Sequence, residues 1–467
     1  MKACRGLHRR QFLKWAAMGT VGAALAACGT TPTPASATQA PAAPTETPAP
    51  SVPTPTAAPA AAQQPVTITF LVREEVTKPG GWKDITTSAE QRFAQNFPNA
   101  KAEEVFIPGA QYMDKLQTLI AAGNPPDIFN VDPTSFFLTW IKNKTIIDLS
   151  DMYAKDKDFF KDWPKFFIDG ASWQGKQYGI SIDGGAIYNL WSNFGWFKDA
   201  GVTPPVGKDW NVDDFLTTCK TLSKPADKKF AYHPFTCVWH WWPMIFGGGV
   251  IDQKDPTKCI LDKPESQEAL QFLVDLRWKY NVTPQPAQEV EGQAGRQGYV
   301  AKRISMVHAG AWFFPSLEGS GIDAGVLFPP KGRAGQIIMA IIQMYVIYSG
   351  AKNPQLAWEF CKLRVDDTAN TIQVKENNST TPNNKINNEV WLPYMKQLAD
   401  QGKGYQNYEA FIKGYDYAAI WAQMPQEAWD VLHQELDPVW LNQKTVKEYV
   451  ATTVPKVNKI LQDWWKA

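Results

Sequence analysis

The stretch that most restricts the fold runs from Val66 to Asp132. Val66–Val72 (VTITFLV) is a continuous apolar run of strand length, closed by Arg73-Glu74-Glu75. A helical stretch follows, with Ser88 as its expected N-cap, Gln91 three residues on, Phe93 and Phe97 on one face and Pro98 as its stop. Lys101–Ile107 reads as a second strand. Tyr112–Ala122 reads as a helix, with Tyr112, Leu116, Leu119 and Ile120 on one face and Gly123 behind it. Asn124-Pro125-Pro126-Asp127 then turns the chain into a short buried strand that ends in polar residues, Asn130 and Asp132. Strand, helix, strand, helix, strand in this order argues an open parallel α/β sheet. In such sheets ligands bind beyond the carboxyl ends of the strands, which is where Glu74, Asn130 and Asp132 fall.

The residues before Val66 belong to export rather than to the fold. His8-Arg9-Arg10-Gln11-Phe12-Leu13-Lys14 matches the twin-arginine pattern, and the apolar run Ala16–Ala27 is too short to span a membrane stably. Leu25-Ala26-Ala27-Cys28 has the form of a bacterial lipoprotein signal, with residues 1–27 removed and Cys28 the lipidated first residue of the mature chain. The other reading is a plain signal cleaved at a nearby alanine, with Cys28 incidental. Residues 28–64 hold Pro, Thr and Ala with almost no charge or large apolar side chains. They are expected to form an extended tether that holds a folded body off a membrane.

The chain has 467 residues, a length that suits two lobes rather than one small domain. Its 47 basic and 46 acidic residues leave a formal net charge of +1, so no electrostatic footprint for nucleic acid exists. No CxxC or HExxH spacing occurs, nor any phosphate loop or G-x-S-x-G elbow, so no metal or other cofactor is expected. One disulfide among Cys219, Cys237 and Cys259 is plausible, while Cys361 sits in an apolar helical pattern and reads as a buried free thiol. The 20 Trp residues exceed what a core alone suggests and point to flat, apolar ligands in a cleft.

A second stretch organises the rest of the chain. Tyr178–Ile182 reads as a strand, Asp183 as an acidic turn, Gly184-Gly185 as a flexible pair with room for a ligand, and Ala186–Trp191 as another strand. A short helix near Trp196–Ala200, stopped by Gly201, carries the chain into a new unit. Further on, Val212–Leu222, Glu265–Tyr280 (with Leu270, Leu273, Val274 and Trp278 inward) and Asn353–Leu363 read as helices. Phe230–His240 and Ile337–Ser349 read as strands, and Pro455 is expected to kink or break a last helix, Thr445–Trp464.

These residues carry a resemblance. Y-G-I-x-I-D…IYN…F-x-x-A-G…PP, the P-D-I-x-x-x-D pattern at Pro126–Asp132, Tyr299/Arg303/Ser305/Met306/Gly310/Trp312 and the helix N-P-x-x-A-W-E-F resemble the family 1 extracellular solute-binding proteins of ABC importers. The resemblance spans most of Val66–Ala467. It implies an α/β fold of two lobes, each an open sheet flanked by helices, with a ligand cleft at the hinge. Lobe one would hold 66–192 and 329–375, and lobe two 193–328 and 376–467. It implies a monomeric, lipid-anchored subunit facing the periplasm or cell surface. Its partners would be a small sugar ligand and permease subunits, without catalysis.

A sugar site needs flat aromatic platforms and carboxylate or amide hydrogen-bond partners. The positions that match the family pattern are Glu74, Asn130, Asp132, Asp183, Trp239, Trp312 and Trp429, with Trp241 and Trp82 able to replace the aromatic that Asn130 displaces. Two alternatives use the same residues. One is a secreted carbohydrate-active enzyme working with two of Glu74, Asp132 and Asp183. The other is a binding protein for a different solute, such as a polyamine or peptide.

Overall fold

The structure is a computed structural model that describes residues 66–71, 82–105, 107, 111–131, 136–184, 187–207, 209–234, 238–289, 295–402, 405–420 and 423–466. Glu74, Asp132, Cys28, Gly185 and Cys237, with the export signal and tether, lie outside the described residues.

Eleven strands fix the frame: β1 (Val66–Leu71), β2 (Ala100–Glu104), β3 (Ile128–Val131), β4 (Ile180–Ser181), β5 (Asn189–Asn193), β6 (Phe230–Tyr232), β7 (Ile304–Ala309), β8 (Ala324–Leu327), β9 (Ile338–Ala340), β10 (Met344–Ile347) and β11 (Ala418–Ile420). The helices used below are α1 (Trp82–Asn96), α2 (Tyr112–Ala121), α3 (Val212–Leu222), α4 (Trp241–Ile245), α5 (Pro264–Trp278), α6 (Gly295–Val300), α7 (Pro354–Leu363), α8 (Asp367–Asn377), α9 (Gln426–Trp440) and α10 (Val446–Lys466).

The first lobe is built on a five-stranded sheet in the order β2-β1-β3-β10-β4. β1 runs parallel to β2 and β3, as the strand–helix alternation predicts, whereas β10 lies antiparallel to both β3 and β4. All four residues of β3 are buried, as expected of a strand covered on both faces. Phe360 of α7 lies 4.6 Å from Phe70 of β1 and 5.4 Å from Phe93 of α1, so both helices cover one face of this sheet. The second lobe is built on a four-stranded sheet, β8-β5-β7-β6. Its residues Leu190, Met306 and Tyr232 turn toward one core with Phe215, Trp242, Leu270 and Leu432. On the opposite face Trp191 packs 4.7 Å from Phe314 and 5.6 Å from Phe411. Full burial of such side chains contributes about 2–3 kcal/mol each.

Three passages join the sheets: β4 to β5, β8 through β9 to β10, and β11, which pairs in parallel with β9. Ile187 bridges to Ala340 in the same zone. Gly184 is essential here for a reason other than ligand space. A Cβ on it would lie 2.2 Å from the Thr381 carbonyl carbon, and Tyr415 Oη donates to the Gly184 carbonyl at 3.1 Å. The glycine lets two backbones touch where the chain leaves the first lobe.

Several local expectations change. α1 starts at Trp82, and Ser88 lies within it, its hydroxyl accepting from Arg92 Nε at 3.2 Å. The buried stripe Ile85, Thr86, Ala89 and Phe93 extends the helix backward past the capping signal. Pro455 does not end α10, which runs unbroken through it. The buried stripe Tyr449, Val450, Thr453, Val454, Val457 and Leu461 continues on both sides of the proline and offsets the ~3 kcal/mol that an interior proline costs. The apolar run Ile337–Ser349 is two strands, β9 in the hinge ribbon and β10 in the first sheet. Trp278, expected inward, is 40% exposed and donates from Nε1 to the Trp440 carbonyl at 3.1 Å. Cys219 and Cys259 are buried free thiols rather than half of a disulfide, and Cys361 is free as expected.

Candidate functional site

Asn130 is the penultimate residue of β3 and Asp183 follows β4, and these two strands flank β10 in the first sheet. Asn130 faces Tyr345 in the ladder, Ser181 faces Met344, and Ile182 donates to the Gln343 carbonyl at 3.1 Å. Both polar residues therefore lie at the edge where β10 begins, the edge turned toward the hinge. The Asn130 backbone is held by Tyr112 of α2, whose hydroxyl donates to its carbonyl at 2.7 Å and accepts from its N–H at 3.0 Å. Its side-chain amide is buried with neither atom hydrogen-bonded. Leaving such groups unpaired costs about 1–3 kcal/mol each. Asp183 is half-buried, and its carboxylate accepts from Gln373 Nε2 of α8 at 3.4 Å.

Trp312 occupies the corresponding edge of the second sheet. It follows β7 in a short turn, Ala311–Leu317, just beyond Gly310. Ala309 pairs with Asn189, so the end of β7 meets the start of β5, where the chain arrives from the first lobe. Tyr188, at that arrival point, sets its ring edge-on to Trp312 with centroids 6.2 Å apart. Its carbonyl takes a 3.2 Å hydrogen bond from His308 Nδ1. A carbonyl only accepts, so His308 carries its proton on Nδ1 and leaves Nε2 a bare acceptor. Burial between Trp241 and Tyr232 pushes the His308 pKa down to about 4, and the ring is neutral at pH 7. His308 is thus a core histidine held by the hinge backbone.

The remaining aromatic candidates turn inward. Trp241 donates from Nε1 to the Ile337 carbonyl at 2.9 Å and packs edge-on to Trp242 at 4.9 Å. Trp429 of α9 stacks on His433 at 5.3 Å, and Trp239 meets the Trp429 ring edge-on at 6.4 Å. Trp239, Trp241 and Trp429 are each 1% exposed, so in this conformation none offers a face to a ligand. They fill the second lobe's core because its aromatic-rich helices and turns pack on one another. Trp82 is the half-buried first residue of α1.

Sequence reasoning missed Arg296 and Tyr188. The Arg296 guanidinium lies over the Trp312 ring, 5.0 Å from its centroid. The signal was present in the connection: α6 is joined to β7 by three residues, and Arg303 N–H donates back to the Gly298 carbonyl at 2.8 Å. A helix doubled back that tightly on its strand sets the helix start beside the strand end, and so Arg296 beside Trp312.

A groove of about 800 Å³ lies elsewhere on the first lobe, bordered by Asp158, Trp163, Asp366, Asn384 and Glu389, and includes none of the expected ligand residues. Among the described residues no cluster of three His, Cys, Asp or Glu could hold a metal ion. No helix among them is long and apolar enough to cross a membrane.

Comparison with known proteins gives the family and the fold. Residues 80–363 match the family described as bacterial extracellular solute-binding protein, and residues 6–26 match the twin-arginine translocation signal. An uncharacterized ABC transporter extracellular-binding protein of Pyrococcus horikoshii is 25% identical over 299 residues, 60% of this chain and 64% of that protein. The diacetylchitobiose binding protein DasA of Streptomyces coelicolor is 24% identical over 265 residues, 54% of this chain and 59% of its own length. The match therefore spans about six-tenths of these relatives. In fold, the chain is similar to an ABC substrate-binding protein from Listeria monocytogenes in complex with cycloalternan. The TM-score is 0.70 at 21% identity, covering 85% of this chain and 99% of that one. It is likewise similar to a maltose-bound protein of T. maritima, with TM-score 0.65 at 17% identity, covering 85% of this chain and all of the other.

Proposed function

This chain belongs to the bacterial extracellular solute-binding proteins, and from that premise we propose that it is the substrate-binding subunit of an ABC importer for a saccharide. The carrying observation is that the hinge-facing edges of the two sheets present complementary groups. Trp312, half-buried, supplies a flat apolar face on the second lobe. Asp183, half-buried, supplies a hydrogen-bonding carboxylate on the first, and the unpaired Asn130 amide lies buried at the same edge. A sugar ring offers an apolar C–H face and a rim of hydroxyls, and so matches both.

The mechanism has no covalent step. Ligand stacks on Trp312 in the open cleft, and its hydroxyls reach Asp183 and Asn130 when the lobes approach. Contacts to both lobes exist only in the closed form, so binding shifts the hinge equilibrium by its differential affinity for that form. Glu74 and Asp132 are proposed to join the first-lobe side. Cys28 is proposed as the lipidated residue, the tether carries the body outward from the membrane, and a monomer delivers ligand to permease subunits that read closure.

The test is thermal unfolding of the full chain against maltose, maltotriose, N,N′-diacetylchitobiose, uronic-acid saccharides, amino acids, dipeptides and spermidine. A ligand that binds only the native state raises the melting temperature. A saccharide hit that is recovered unchanged after prolonged incubation, and that W312A weakens about tenfold or more, supports the reading. Hits confined to amines or peptides, or conversion of the bound sugar, refute it.

A further inference from the structure

We infer that the site takes an acidic saccharide, with Arg296 pairing to a carboxylate on or next to the sugar ring that Trp312 stacks; this rests on the saccharide reading above. Arg296 is half-buried and lies over the Trp312 ring at 5.0 Å. A guanidinium held beside an indole by a cation–π contact keeps its N–H donors available to a further partner. Among the described residues no hydrogen bond or ion pair joins Arg296 to another residue.

Other arginines of the chain are differently placed. Arg92 pairs with Asp366, Arg277 with Glu289 and Arg333 with Glu268. Arg364, buried under the first sheet, donates to Tyr345 Oη at 2.9 Å and Thr86 Oγ1 at 2.8 Å. Among the described residues Arg303 and Arg364 also lack an ion pair, but Arg296 is the arginine whose guanidinium lies over the Trp312 ring.

The carboxylates assigned to the site, Asp183 with the proposed Glu74 and Asp132, belong to the first lobe and not to the one that carries Arg296. His308, two positions before Gly310, is neutral. Asp183 belongs to the first lobe, where Gln373 holds it. The arrangement is therefore polar along its length, with a forked cation beside the aromatic face and carboxylate and amide groups on the opposite lobe. A neutral sugar would satisfy the second set and leave the fork unpaired as closure removed water from it. A uronic acid unit meets both, since its carboxylate matches the guanidinium fork in two parallel hydrogen bonds and its hydroxyls face Asp183 and Asn130. Desolvation on closure strengthens the ionic contact.

The experiment is isothermal titration of the full chain with matched pairs: D-galacturonate against D-galactose, and α-1,4-digalacturonate against α-1,4-galactobiose. R296M keeps an unbranched stem of similar length but has no charge; R296K keeps charge without the fork. The acidic member of a pair is expected to bind at least about tenfold tighter than the neutral one, the difference one charge-assisted hydrogen bond provides. R296M should remove that preference, bringing the acidic and neutral members of each pair within about twofold of one another. R296K should fall between, and raised salt should weaken only the acidic member. Equal or tighter binding of the neutral member overturns the inference while the saccharide reading stands. Acid preference that survives in R296M overturns the role of Arg296. If no saccharide of either kind binds, in these pairs or in the thermal panel, both readings fall.

Discussion

His308 makes the stability of this protein depend on pH in a window that can be calculated. Its folded pKa is about 4 against an ordinary 6.5, because burial disfavours the imidazolium between Trp241 and Tyr232. Between those two values the unfolded chain binds a proton that the folded chain does not. Protonation then favours the unfolded state, and stability falls as pH drops from about 6.5 to about 4. For a shift of this size the loss from pH 7 to pH 5 is about 2 kcal/mol, nearing ~3 kcal/mol below the folded value. The control is His308→Asn, whose amide can still donate to the Tyr188 carbonyl but does not titrate. His240 and His433 are also pushed down by burial. Both remain in the variant, so they cancel from the comparison. Urea unfolding followed by tryptophan fluorescence, at pH 7 and pH 5, gives the free energies. The variant should lose about 2 kcal/mol less than the parent between the two pH values. Equal losses in the two proteins would show that His308 is not held neutral in the fold, and the tautomer argument would go with it.

Gly184→Ala places a methyl group 2.2 Å from the Thr381 carbonyl carbon, in backbone that cannot yield as a side chain does. It should destabilise the protein by about 2 kcal/mol or more in urea unfolding at pH 7, and a change under 0.5 kcal/mol would mean the two segments do not touch. Cys219, Cys259 and Cys361 are buried and free. A thiol reagent should modify them only in denaturant, and a reductant should leave the melting temperature unchanged; a fall of several degrees on reduction, lost in a C219S/C259S/C361S variant, would contradict their being free.

The frame of this fold was readable because its signals are local and redundant. The alternation from Val66 to Val131 implied parallel strands, and β1 does pair in parallel with β2 and β3. Helix α3 was bounded correctly because Asn211 caps it strongly: its side chain accepts from the Asp213 and Asp214 N–H groups. Where a signal competed with long-range packing, packing prevailed. The capping chemistry at Ser88 yielded to a stripe that begins earlier, and the proline in α10 yielded to a stripe that continues past it.

The site was less readable for a different reason. A tryptophan in a sequence names a large flat ring and says nothing of which way it turns. Trp239, Trp241, Trp312 and Trp429 are chemically alike, yet only Trp312 keeps part of its surface free, because it follows the end of β7 at the hinge edge while the others sit where helices and turns pack on one another. Direction is decided by neighbours distant in sequence, as with His433 against Trp429 and Ile337 against Trp241. Arg296 shows the converse. Nothing in its local sequence marks it, but a helix joined to β7 by three residues brings it to the ring. A search of such sequences for binding residues would therefore do better to pair each hinge-edge aromatic with the first turn of the helix leading into its strand than to count aromatic residues along the chain.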